Sequence, residues 1–170
     1  MLERCRMFAG YNAWANALID DAAASLPDAA FHADRGAAFG SLGGTLNHLL
    51  VADRVWMARL MGEPPPYDRL DAVVADSLVP LRAAREAEDR RILAYAESLT
   101  AYALESDFRW TSMTAGVVTV QPLWSVLDHF FNHQAHHRGQ AHALLTAAGG
   151  EGPALDLPIF QRTAGIGRGS

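Results

Sequence analysis

Apolar positions recur along most of this chain at three- and four-residue steps, the period of a helix with one face turned inward. Between Leu2 and Leu26 they fall at Met7, Tyr11, Trp14, Leu18, Ala22 and Leu26, and Pro27 closes the segment. A second stripe, Leu46, Leu49, Leu50, Val55, Trp56 and Leu60, predicts a helix over about 42–61, capped by Ser41. Gly62, Glu63 and the run Pro64 to Pro66 stop it. The third stripe runs Leu78, Leu81, Ala84, Ile92, Tyr95 and Leu99. Pro80 fits only its first turn, so Asp76 or Ser77 is the expected cap. A fourth helix opens at Pro122 and ends at Gly149-Gly150.

Between the helices the period changes. Residues 28–40 mix Asp, Gly, Ala and aromatics and read as a loop with room for one helical turn, Phe31 and Phe39 plugging the end of the core. Leu70 to Ala75 read as a separate turn. Phe108 to Met113 and Val117 to Gln121 alternate on either side of Thr114-Ala115-Gly116, which predicts a small hairpin or extended loop. Leu155 to Phe160 make a brief apolar patch suited to a short helix, before a glycine-rich end. The pattern therefore predicts an all-α four-helix bundle with a small hairpin or loop insert before the fourth helix. Residues 1–160 are expected to form one domain and 161–170 a flexible tail.

Composition narrows the function classes. The 170 residues carry a net charge of -5, which disfavours a nucleic-acid binder, since that needs clustered Lys and Arg. Cys5 is the single cysteine, so no internal disulfide forms and a reducing, cytoplasmic setting is expected. Glu3, Arg4 and Arg6 precede an amphipathic run rather than an apolar signal core, and no span suits a membrane helix.

Histidine is the exception to this plain composition. Five of the seven histidines lie between His129 and His142. His129, His133 and His137 form an i,i+4 ladder, which stacks imidazoles on one helix face, while His136 lies about 100° away. Imidazole is the commonest protein metal ligand, and a pair four apart offers two converging nitrogens. His48 sits inside the second apolar stripe and is the strongest candidate for a third ligand. On spacing alone, His129 stands either as a ligand competing with His137 or as a partner behind the ligands. Gly43 and Gly44, one turn before His48, leave either open space above a metal or close packing at the start of the helix. His32 and His142 are expected to face solvent.

Three segments carry a resemblance to a known family. Pro122-Leu123-Trp124 and Asp128-His129-Phe130-Phe131-Asn132-His133-Gln134-Ala135-His136-His137-Arg138-Gly139-Gln140 resemble the fourth-helix signature of the DinB/YfiT-like superfamily. Leu46-Asn47-His48-Leu49-Leu50-Val51-Ala52-Asp53-Arg54-Val55-Trp56 resembles its second-helix motif, and Tyr11-Asn12-Ala13-Trp14-Ala15-Asn16 its opening helix. The resemblance implies an up-down-down-up four-helix bundle, a homodimer, and one divalent metal ion, nickel or zinc, held by His48, His133 and His137. It leaves His129 outside the ligand set, as a candidate partner behind the ligands, and gives Arg138 and Gly139 structural roles, the glycine allowing close helix contact. Tyr11, Asn12, Asn16 and Trp56 are candidate pocket walls. Relatives that join small thiols to electrophiles imply a transferase acting on a low-molecular-weight thiol and an electrophilic substrate. The alternatives are a hydrolase using metal-bound hydroxide and a non-catalytic metal-binding stress-response protein. No carboxylate lies three or four residues from any of the three histidines, which weakens the hydrolase.

Overall fold

The computed structural model describes residues 1–166. Along the chain these form α1 (Leu2–Ala24), α2 (Asp28–His32), α3 (Leu42–Leu60), α4 (Leu78–Ser98), α5 (Ala101–Glu105), β1 (Asp107–Thr111), β2 (Val118–Pro122), α6 (Leu123–Ala147) and α7 (Leu157–Thr163). The protein is thus mostly helical, with one two-stranded sheet. Helix α1 packs on α4 and α6, and α3 packs on the same two, so the four long helices close a ring.

Local chemistry sets the helix ends. The hydroxyl of Ser41 accepts the Gly44 N–H at 3.0 Å and so satisfies one free donor at the start of α3. Pro80 falls in the first turn of α4, where its missing N–H costs nothing, and Ser77 precedes that helix without a side-chain cap bond. Helix α6 stops because Gly149 takes φ 88°. That turn lets the Gly150 N–H reach Leu145 O and the Gly149 N–H reach Thr146 O, both at 3.0 Å, a Schellman closure.

Two apolar clusters fill the ring, one toward each end. One joins Cys5 and Ala9 of α1 to Trp56 and Met57 of α3, Ile92 and Ala96 of α4, and Leu123, Val126, Leu127 and Phe130 of α6. The other joins Ile19 and Ala23 to Leu42, Leu46, Leu49 and Leu50, Leu81, and Ala141, Leu144 and Leu145. Between them in sequence, every long helix contributes buried polar groups. Asn12 and Asn16 of α1, Asp53 of α3, Arg85 and Asp89 of α4, and Gln134 and Arg138 of α6 are all below a tenth exposed. Arg85 donates to Asp53 at 2.6 Å and lies 2.9 Å from Asp89. Asp89 in turn accepts from Asn12 and Asn16, each at 3.1 Å. Arg138 donates to the Asn12 and Asn16 side-chain oxygens at 2.6 and 3.1 Å. This belt pairs most of the polar groups it buries, as a low-dielectric interior requires.

The hairpin pairs Asp107 with Pro122 and Thr111 with Val118. Phe108 and Trp110 of β1 lie against the first cluster. Within the expected Leu70 to Ala75 segment, Leu70 and Asp71 form a turn and the rest is irregular chain. It is anchored by Asn47, whose side chain bonds Val74 N at 2.7 Å, Ala75 N at 3.1 Å and Ala75 O at 3.0 Å. The short helix expected near Leu155 to Phe160 runs from Leu157 to Thr163, across the boundary drawn at residue 160. Its Phe160 packs edge-on to Tyr11. The remainder of the glycine-rich end, 167–170, lies outside the described residues.

Candidate metal centre

Helix α6 turns its Phe130, Gln134, Arg138 and Ala141 fully inward. His133 and His137 sit one residue earlier on the helix, about 100° aside, and so emerge on the seam between α6 and α3. From α3 the buried ring of His48 meets them. Ring centroids are 4.4 Å apart for His48 and His137, 4.4 Å for His133 and His137, and 5.6 Å for His48 and His133. One ligand nitrogen from each ring lies within 4.8 Å of the other two.

Hydrogen bonds behind the rings fix which nitrogen faces the centre. His48 Nδ1 lies 2.8 Å from Leu70 O, and His137 Nδ1 lies 2.8 Å from Gln140 Oε1. Oxygen acceptors there place the proton on each Nδ1 and leave both Nε2 atoms with a lone pair. Those two Nε2 atoms are 3.2 Å apart. Two lone pairs at that distance repel each other unless an electron acceptor lies between them. A tetrahedral ion with bonds of about 2.0 Å sets neighbouring ligand nitrogens roughly 3.3 Å apart, so the donor set fits a divalent first-row metal. Oriented Nδ1–H bonds of this kind are the usual partners of metal-binding imidazoles.

The three rings are also held uncharged. Burial lowers the pKa of His133 to about 3, helped by the neighbouring His137 and His48. Burial likewise lowers His48 and His137. Neutral imidazole is the form that binds metal.

Phe39 covers the site from the loop before α3, its ring stacked on His48 at 3.7 Å and 14°. The chain approaches so closely that a Cβ on Gly44 would fall 2.0 Å from Phe39 O, and one on Gly43 would meet the Phe31 ring at 2.5 Å. Of the two readings of Gly43 and Gly44, close packing is therefore the one realised. Phe31 does plug the core, whereas Phe39 serves the histidines.

Several sequence expectations need correction. Asn12 and Asn16 do not line the cavity beside His133: their side chains bond Asp89 and Arg138 in the buried belt. Tyr11 points away as well, its hydroxyl donating to Leu155 O at 2.7 Å beneath the C-terminal segment. His129 makes no hydrogen bond to the three histidines. It stands exposed at the rim, its ring 5.9 Å from His133 and 5.2 Å from Trp56. His142 is half-buried and bonds Pro153 O rather than facing solvent. Gly139 has nothing within 4 Å of where a Cβ would stand, so it serves no close helix contact.

Trp56, by contrast, lines a cavity of about 180 Å³ that opens beside His133. Arg59, Trp110, Met113 and His129 share its wall, and no carboxylate does. Sequence reading missed Asn47, Phe39, Gln140 and Arg59. Only Gln140 left a trace, as an acceptor three residues beyond His137 on the same face.

A family model described as the DinB family matches residues 1–168. No curated protein and no solved structure gives a significant match.

Proposed function

The chain belongs to the DinB family, and from that premise we propose that it is a metal-dependent transferase, activating a low-molecular-weight thiol for attack on an electrophile. The observation that carries this reading is the pair of lone-pair nitrogens on His48 and His137, 3.2 Å apart, with His133 beside them and an acid-free cavity next to it. When bound there, nickel or zinc supplies the positive charge that keeps a thiol sulfur deprotonated near neutral pH. Leu70 O and Gln140 Oε1 hold two of the rings in the binding tautomer. Phe39, stacked on His48, and Trp56, on the cavity wall, give the site apolar surroundings. His129 at the rim, its pKa lowered by partial desolvation against the cavity wall and by Arg59, is a neutral base able to take up the thiol's proton. Hydrolysis is less well served, because no carboxylate stands on that wall to activate water.

The same reading takes the helical ring as an up-down-down-up bundle. In support, the N-terminal part of α1 shares a cluster with the C-terminal parts of α3 and α4 and the N-terminal part of α6.

Cobalt(II) substitution tests the proposal. Adding a small thiol such as 2-mercaptoethanol to the cobalt-loaded chain is expected to produce a near-ultraviolet thiolate-to-cobalt band. His137→Ala should lose both cobalt and band while keeping its helical circular dichroism. Turnover is then sought with panels of thiols and electrophiles. Stoichiometric cobalt with neither band nor turnover would leave a metal-binding protein and remove the transferase.

A further inference from the structure

Arg59 is oddly placed for a cation. It sits near the end of α3 with its guanidinium 4.6 Å from the Trp56 ring centroid and 5.5 Å from that of Trp110. One hydrogen bond, to Thr111 O at 3.0 Å, occupies one of its five N–H groups. Its neighbours are paired: Arg54 with Glu88, Arg85 with Asp53 and Asp89, Arg91 with Glu63 and Glu88. Among the described residues no carboxylate lies within 4 Å of Arg59. A half-buried guanidinium is thus partly stripped of water without gaining an anion. Close by, the Trp110 indole Nε1 is buried with no acceptor. Both residues line the cavity beside His133.

We propose that this cavity is a carboxylate-recognition pocket, in which Arg59 selects a small organic acid and the Trp56 and Trp110 indoles hold its apolar or planar body. The inference rests on the reading that the cavity is the substrate side of the metal centre, and names the electrophile as the acid-bearing reactant. Guanidinium is the side chain best matched to a carboxylate, since two of its N–H groups meet both oxygens at once. The acid-free wall removes any repulsion. The volume is right for a small body: a cavity of roughly 150 Å³ is known to admit benzene. His133 shares the wall, so a ligand anchored at Arg59 extends toward the three imidazoles.

Arg59 also fastens the hairpin through Thr111 O, so the test must separate anchoring from recognition. The zinc-loaded full chain, labelled at its indole nitrogens, is titrated with phenylacetate and with its neutral isostere phenylacetamide. The acid is expected to shift the Trp56 and Trp110 indole signals and to bind about tenfold tighter than the amide, the worth of one charge-assisted pair. Arg59→Gln should bring that ratio to about one with metal content unchanged. Arg59→Lys should keep part of the preference, and Trp110→Phe should weaken the acid without abolishing the preference. Should Arg59→Gln disturb the hairpin, those two variants decide the matter. Equal binding of acid and amide overturns the proposal, as does absence of any shift at about 10 mM acid. A preference that survives Arg59→Gln also overturns it, because the carboxylate would then be sitting on the metal. A thiolate band without acid preference removes this inference alone, and acid preference without the band removes the transferase alone.

Discussion

Gln140 shows how one side chain can set the chemistry of another. Its Oε1 accepts from His137 Nδ1 at 2.8 Å, and its Nε2 lies 3.3 Å from His136 Nε2. The amide is thereby oriented from both sides and holds His137 with its free lone pair turned to the centre. Gln140→Leu keeps much of the bulk and removes the acceptor. Metal affinity is expected to fall about tenfold to a hundredfold, the usual loss when such a partner is removed. Competition with a chelator of known affinity checks this, and Gln140→Glu, which keeps an acceptor, should retain tight binding. Unchanged affinity in Gln140→Leu would show that the hydrogen bond is incidental. The His133 and His137 pair was legible because its spacing is a helical signal, while the choice of His48 over His129 as the third member came from the family resemblance. Arg59 was not legible, since a cation in the last turn of a helix looks the same whether it faces water or a cavity.

At the scale of elements, the long helices were readable because burying one face imposes a period on apolar residues. What broke the reading was polarity inside the stripe. Asn12, Asn16, Asp53, Gln134 and Arg138 face inward, and a pattern that treats polar residues as outward-facing assigns them to a surface or a pocket. Loops carry no period at all, so the seat of Phe39 on His48 left no mark. Two glycines of similar appearance separate these cases. Gly44→Ala forces a Cβ against Phe39 O and is expected to destabilise the fold by about 1–3 kcal/mol, the range for overpacking. It should also loosen metal binding by lifting Phe39 from His48. Gly139→Ala meets nothing in mid-helix and should stabilise by up to about 1 kcal/mol. Urea unfolding of both variants compares them directly, and destabilisation by Gly139→Ala would restore the close-contact role that the structure denies it.

Taken as a whole, the molecule stands on a charged belt that must balance in a low dielectric. Asp53 and Asp89 face Arg85, and Arg138 is held by Asn12 and Asn16. Asp20 is also buried; the fourth buried carboxylate, Glu88, pairs outside the belt with Arg54 and Arg91, so within the belt three carboxylates stand against two guanidinium groups. Burial pushes the Asp20 pKa from 3.8 to about 7, against the pull of Arg85 and Arg82. A proton on Asp20 leaves the remaining charges equal, so the neutral acid is the form the fold prefers. The sign of the linkage follows. Above pH 3.8 the unfolded carboxyl ionises freely while the folded one keeps its proton, so the folded state binds more protons and stability falls as pH rises. The contribution is fully present below pH 3.8 and is lost by the time pH passes about 7. Asp20→Asn mimics the protonated form and has no such loss. Near pH 4 the variant should match the native chain; near pH 8 it should be more stable, by on the order of 1–3 kcal/mol. Comparing the two chains at each pH cancels the titration of the histidines. A difference that stays flat from pH 4 to pH 8 would mean that Asp20 is ionised in the fold, with Arg85 and Arg82 outweighing the cost of burial.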